Sequence, residues 1–312
     1  MSLITQIKDR RTKAGDTVLS VRDLHVTFPS EAGPVRAVRG LSFDLVAGET
    51  MAIVGESGSG KSVTSMAVMG LHPSTTRITG SVKLHDTELL GQSDNDMSKI
   101  RGRDLAMVFQ DPLSALTPVY TIGDQIVETI QAHYDVPKAK AWTRAIELLD
   151  LVGIPNPQVR VKSFPFEFSG GMRQRVMIAM AMALGPQVMI MDEPTTALDV
   201  VVQREILREI TRLREELGFA AIFITHDLPL LLEISDRIAV MKDGEIVELG
   251  DAVELYANPK HDYTKRLLAS FPSLTGKRGD FIRSGLPTGL LDVDAVVPVD
   301  VVARQKRGGS DA

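Results

Sequence analysis

The stretch Gly55-Glu56-Ser57-Gly58-Ser59-Gly60-Lys61-Ser62 fits the phosphate-loop pattern G-x-x-x-x-G-K-[ST], and it constrains the fold more than any other part of the chain. The pattern has physical meaning only between a buried strand and a helix start. Both neighbours qualify: Thr50 to Val54 is a short apolar run, and Val63 to Met69 holds no helix breaker. Gly55, Gly58 and Gly60 allow backbone angles that other residues resist, and they let amide groups approach a ligand closely. Those amides and the positive end of the following helix make a cradle for phosphate oxygens, so the whole stretch from Gly55 through Glu56, Ser57, Gly58, Ser59 and Gly60 is the expected nucleotide-binding segment. Lys61 would reach the outer phosphates, and the Ser62 hydroxyl would meet a magnesium ion.

Composition removes other classes. The 312 residues are 44% apolar and 24% charged, the mix of a globular protein with a full core. A net charge of -5 gives no bulk basic field for nucleic acid or an acidic membrane surface, so no nucleic-acid partner is expected. Cysteine is absent, which excludes disulfides and thiolate metal sites and agrees with a reducing compartment. No run of about 18 apolar residues occurs to span a bilayer. Residues 1–17 read as a mobile tail: Met1 to Gly15 lacks an apolar signal core and carries Lys8, Arg10, Arg11 and Lys13. The protein is expected to stay in the cytoplasm.

Val18 to Phe28 and Val35 to Leu45 read as strands around the Pro29–Pro34 loop, a sheet layer in front of the nucleotide. Phe28 could stack there on an adenine ring; the alternative is an ordinary core aromatic. Leu71 to Gly80, with Pro73, reads as irregular, and Ser81 to Leu84 as a strand. Leu105 to Phe109 is a further apolar run, stopped near Pro112. Gln110 therefore falls at the carboxyl end of a strand, where ligands bind in open α/β sheets, and its amide could hold a water or the metal. Ile122 to His133 and Ala139 to Val152 have helical spacing and form an inserted helical region, with Trp142 on the core face.

Ser169 is a good N-cap, and Gly170 and Gly171 expose amides at the start of the helix that runs on through Val176 to Leu184, a second anion site. The methionines that follow (Met172, Met177, Met180, Met182) read as core filler. Val188 to Met191 is a buried strand running into Asp192-Glu193-Pro194: Asp192 suits magnesium, and Glu193 suits polarising an attacking water. Thr195 to Asp199 is a turn, Gln203 to Leu217 an amphipathic helix closed by Gly218, and Phe219 to Ile224 another strand. It ends at Thr225-His226-Asp227, where His226 is placed to touch a γ-phosphate. The other histidines, His25, His72, His85, His133 and His261, read as structural. Lys242-Asp243-Gly244 is a hairpin signal, and Tyr263 to Ser270 a short helix. Periodicity fades after Pro272, with one strand expected at Ala295 to Val302.

In this order the motifs resemble the ATP-binding subunit of an ABC transporter over about Val18 to Ser270. Gly55 to Ser62 resembles the Walker A loop, Gln110 the Q-loop glutamine, Phe168 to Met172 the signature motif, and Val188 to Glu193 the Walker B strand with its catalytic glutamate. Thr196 to Asp199 resembles the D-loop and His226 the switch histidine, and Phe28 falls at the adenine-stacking position. Phe109 to Pro118, Ser169 to Ala179 and His261 to Leu268 resemble the oligopeptide and dipeptide importer subfamily.

The resemblance implies an α/β fold: a P-loop NTPase core of ABC type with an antiparallel β subdomain and an inserted α-helical subdomain. The ATPase domain would cover 18–257, with the helical part at about 112–175, and a C-terminal extension 258–312. It implies ATP and Mg2+ as ligands, with Ser62, Gln110 and Asp192 on the metal and Lys61, Gln110, Glu193 and His226 in hydrolysis. It implies ATP sandwiched in a head-to-tail dimer, with Ser169, Gly170, Gly171 and Asp199 serving across the interface, and a second ATPase chain that differs from this one. The partners would be two transmembrane permease subunits and an extracytoplasmic solute-binding protein, at the cytoplasmic face of the plasma membrane. The implied function is ATP hydrolysis driving peptide import, with oligosaccharides or nickel as alternative cargo. Departures are Phe168 for the usual leucine, Met172 for glutamine, Thr117 for asparagine, and no cysteine cluster, which excludes an iron–sulfur site. A soluble ATPase of this family acting on ribosomes or DNA is the reading of another class; the chain has neither the paired domains nor the coiled-coil arms usual there. An exporter subunit and a non-enzymatic nucleotide-binding regulator are further readings, opposed by the importer-like segments and by the intact Asp192, Glu193 and His226 respectively.

Overall fold

The computed structural model describes residues 13, 15–111, 115–194, 200–225 and 228–270. Its centre is a six-stranded sheet in the order β10-β9-β3-β8-β7-β6. The strands β3 (Thr50–Val54), β6 (Leu105–Val108), β7 (Val188–Asp192), β8 (Ala220–Ile224) and β9 (Arg237–Lys242) run parallel, and β10 (Glu245–Asp251) is antiparallel at the edge. Parallel strands are stable when both faces are covered, which is why these runs are apolar throughout.

Alternation sorts the side chains of each strand to two cores. Met51 and Ile53, Val188 and Ile190, and Ala239 and Met241 face one core. Ala52 and Val54, Met189 and Met191, and Ile238 and Val240 face the other. The first core is closed by an antiparallel sheet, β2-β1-β4-β5, built from β1 (Thr17–Phe28), β2 (Val35–Val46), β4 (Arg77–Leu84) and β5 (Thr87–Glu88). The second is closed by helices: α3 (Ile122–Gln131), α4 (Lys138–Leu151), α6 (Gly170–Ala181), α7 (Val200–Leu217) and α9 (Ala252–Ala257). The remaining helices are α1 (Lys61–Val68), α2 (Asp94–Ile100), α5 (Pro157–Arg160), α8 (Leu228–Ile234) and α10 (Asp262–Ala269).

Local chemistry explains the boundaries. Thr121 and Ser169 cap α3 and α6 by accepting from the amides of Asp124 and Met172. The β9–β10 turn puts Asp243 and Gly244 at φ +50° and +87°, the left-handed pair a tight hairpin needs. In α4, Ala141, Ala145, Leu148 and Leu149 are buried, and Trp142 packs partly buried beside them as a core residue.

One expectation is corrected. The segment ending at Gly80 is not irregular throughout: β4 begins at Arg77 and pairs with β1 from Thr27 onward. Gly80 is an irregularity within the strand and not a break, since a Cβ there would lie 2.4 Å from the Asp23 carbonyl. The short elements β5, α2, α8 and α9 have no counterpart in the sequence reading. They carry too few residues for a period to register, and α2 buries only Met97. Residues 1–12 of the tail, the 271–312 part of the C-terminal extension and the strand expected at 295–302 lie outside the described residues.

Candidate nucleotide-binding site

Four parallel strands deliver their following residues to one edge of the sheet. β3 leads into the phosphate loop and α1, β6 into Gln110, β7 into Glu193, and β8 into Thr225. This common carboxyl edge is where an open α/β sheet leaves a crevice for ligands.

The loop approaches its surroundings so closely that side chains are excluded. A Cβ on Gly55 would lie 2.1 Å from the Met241 carbonyl, and one on Gly60, at φ +100°, 2.5 Å from that of Ala37. Gly60 also begins α1 without any side-chain cap, so the first amides of that helix keep their donors for a ligand. Lys61 is 6% exposed, and its ammonium donates to the carbonyls of Gly55 at 2.8 Å and Glu56 at 2.9 Å. Burial lowers its pKa, and the charges of Glu193 and Asp192 offset part of that shift. The result is an ammonium held over the loop by neutral carbonyls, a cation with no salt bridge among the described residues.

Ser62 lies one residue further along α1, and its hydroxyl donates to Asp192 Oδ1 at 2.9 Å, across the intervening strand β8. Ser65 Oγ lies 3.5 Å from the other oxygen of the same carboxylate. Burial raises the pKa of Asp192, against the hydrogen bond from Ser62. β6 and β7 are neighbours, which brings Gln110 beside Glu193: Nε2 donates to Oε2 at 2.9 Å. Glu193 sits at φ +47°, left-handed for a non-glycine residue, with its amide donating to the Ile224 carbonyl at 2.7 Å. Such a conformation costs of order 1–3 kcal/mol and persists where surroundings over-determine it.

A hydroxyl, a carboxylate and an amide oxygen are hard donors, the set that magnesium takes together with phosphate oxygens. The uncapped helix start and the side-chain-free loop fit a polyphosphate. Magnesium and a nucleotide therefore suit the residues present, and Ser62, Asp192 and Gln110 are the residues whose oxygens would hold the metal.

Phe28 is partly buried and makes an edge-to-face contact with His72, ring centroids 5.4 Å apart. His72 in turn is 2.8 Å from the Val63 carbonyl on α1. Ser169, Gly170 and Gly171 open α6, and Gly171 abuts Val202 of α7. Among the described residues no hydrogen bond joins these three to the phosphate loop. Phe168 is buried, with the Arg160 guanidinium 5.7 Å from its ring centroid. His226 and Asp199 lie outside the described residues. Two contacts on the loop escaped the sequence reading. The Gly244 amide donates to the Ser59 carbonyl at 3.1 Å, and Tyr263 on α10 bonds the Glu56 amide. Both partners lie roughly two hundred positions downstream, where no local pattern announces them.

Among the described residues no helix is long and apolar enough to cross a membrane. The family described as ABC transporter matches residues 38–196. The chain is 52% identical over 263 residues to the oligopeptide transport ATP-binding protein OppD of Mycobacterium bovis, a match covering 84% of this chain and 43% of that protein. It thus spans less than half the length of that relative. It is 48% identical over 261 residues to the dipeptide transport ATP-binding protein DppD of Bacillus subtilis, covering 83% of this chain and 78% of that one. The fold is similar to the dimeric post-hydrolysis structure of the ATP-binding cassette MJ0796 bound to ADP and Pi, with TM-score 0.67, 26% identity, and coverage of 75% of this chain and 98% of that one. With a family match over residues 38–196 and relatives of such identity across most of its length, the chain belongs to the ABC transporter family.

Proposed function

We propose that the chain is an ATP-hydrolysing subunit that energises an ABC importer for oligopeptides or dipeptides. The observation that carries this reading is the union of Lys61, Ser62, Asp192, Glu193 and Gln110 at one sheet edge, two of its links being Ser62–Asp192 and Gln110–Glu193. The peptide assignment is supported by the names of the relatives, which are oligopeptide and dipeptide transport proteins.

In this reading the loop amides from Gly55 to Ser62 and the Lys61 ammonium hold the phosphate chain, and Phe28 stacks on the adenine. Ser62, Asp192 and Gln110 hold magnesium, which when bound neutralises charge on the phosphate oxygens. Glu193 accepts a proton from the attacking water as the water oxygen bonds to the γ-phosphorus and the bond to the bridging oxygen breaks. Gln110 orients that carboxylate, and His226 touches the γ-phosphate. Ser169, Gly170, Gly171 and Asp199 serve the partner's nucleotide across a head-to-tail dimer; among the described residues no hydrogen bond joins the signature helix start to the loop of its own chain, which supports this reading. The domain division is 18–257 for the ATPase, with a helical subdomain at about 112–175, and 258–312 for the extension. A second, different ATPase chain, two transmembrane permease subunits and an extracytoplasmic solute-binding protein complete the assembly, at the cytoplasmic face of the membrane. Exposed Val119, Tyr120 and Phe166 in the helical insertion suit docking to apolar membrane chains.

The test is a pull-down. Glu193→Gln is expressed in the native host, held with ATP, extracted in mild detergent, and its companions are identified by mass spectrometry. Two membrane chains, a second ATPase and a solute-binding protein are expected. Ribosomal or DNA-repair proteins without membrane chains would overturn the reading.

A further inference from the structure

We propose that Tyr263 is a positioning residue for the phosphate loop, one that sets its affinity for a nucleoside triphosphate through the Glu56 peptide; this rests on the nucleotide-binding reading above. The Tyr263 side chain is buried, and its hydroxyl accepts from the Glu56 amide at 3.2 Å. The carbonyl of the same residue accepts from Lys61 Nζ at 2.9 Å and from the Ser59 amide at 3.2 Å. Glu56 is therefore held at its nitrogen by α10 and at its oxygen by the lysine that must turn toward phosphate. Rotation at Glu56 would break bonds on both sides at once, so the phenol oxygen helps to fix the loop in shape before any ligand arrives.

Tyr263 is itself held firmly. The Glu248 carboxylate accepts from the amides of Lys260 at 2.8 Å and His261 at 3.0 Å, which anchors the start of α10 to β10. His261 Nδ1 accepts from the Tyr263 amide at 3.1 Å, and the Lys242 ammonium lies 5.3 Å from the centroid of the tyrosine ring. A ring that only filled the core would need no hydroxyl, and burial of a phenol is favourable only when its oxygen finds a partner. Here the partner is the phosphate loop. A loop already in its binding shape pays less ordering cost when a ligand binds.

The experiment compares the full chain with Tyr263→Phe, which keeps the ring and removes the hydroxyl. ATP affinity, thermal melting, and hydrogen exchange at the Glu56 amide without nucleotide are measured for both. The expected result is a melting temperature lower by no more than a few degrees, faster exchange at Glu56, and ATP binding to the folded protein weaker by about threefold to tenfold, the ordering cost of a loop no longer held in its binding shape. Unchanged affinity and exchange overturns the proposal. So does a variant that melts lower and loses binding only in proportion to its unfolded fraction. A wild-type protein that binds no ATP fails the functional reading directly, before any variant is compared.

Discussion

Asp192 is 8% exposed, and burial, opposed by the hydrogen bond from Ser62, holds its carboxyl above the ordinary aspartate range. A raised folded-state pKa means that the folded form binds its proton more tightly than the unfolded chain does. The carboxylate therefore subtracts stability above its folded pKa, and the subtraction vanishes as pH falls through that value and then below the unfolded one. Asp192→Asn is expected to melt higher than the wild type at neutral pH without nucleotide, with the gap closing in acid; melting curves across pH check this. Glu193→Gln tests the neighbouring group. The amide oxygen of a glutamine can still accept from Gln110 Nε2, so the local bond survives while the proton acceptor is lost. ATP binding should persist, and hydrolysis should fall by about 10²–10⁴-fold, the usual contribution of general acid–base catalysis, in a steady-state ATPase assay.

Among the elements, α3 and the segment after α5 fit without spare room. The Gly123 amide donates to the Val161 carbonyl at 2.7 Å, and a Cβ on Gly123 would lie 2.6 Å from Val161 Cγ2 and 2.8 Å from Trp142 Cη2. Gly123→Ala should cost about 1–3 kcal/mol by overpacking, read as a lower unfolding free energy in denaturant. Its helix propensity alone predicts the opposite sign, since alanine is favoured over glycine in a helix and Gly123 lies in the first turn of α3. The two outcomes therefore separate tertiary packing from local preference. The same contrast explains which elements were legible. β3, β7 and β8 announce themselves as short apolar runs between turn signals, because both of their faces are covered. α2 announces itself poorly, because a seven-residue helix with one buried side chain has almost no amphipathic pattern.

At the scale of the whole molecule, the site is a product of strand order. β7 lies two places from β3 and next to β6, so one carboxyl edge gathers Ser62, Asp192, Glu193 and Gln110, with Ser62 and Asp192 130 positions apart in the chain. A ligand that binds this edge only when the sheet is assembled must stabilise the whole fold by mass action. Saturating Mg-ATP at about one hundred times its Kd should add about 2.7 kcal/mol. In a domain of this size that is a rise of roughly 5–10 °C in melting temperature, measured on Glu193→Gln so that nucleotide is not consumed. No rise at saturating ATP would count against the site.

The phosphate loop, the buried strands, the Ser169 cap and the residues at the strand ends were legible in the chain, because each depends on chemistry within a few positions: glycine where backbone must approach, apolar runs where both faces are covered, polar residues where a strand stops. Which side chains then meet was not. Ser62 donating to Asp192, Gln110 turning to Glu193, and Tyr263 reaching back to Glu56 are contacts across 130, 83 and 207 positions. No local pattern encodes such distances. They arise when two hydrophobic cores, one on each face of the central sheet, fix the order of the strands and so decide what stands beside the loop.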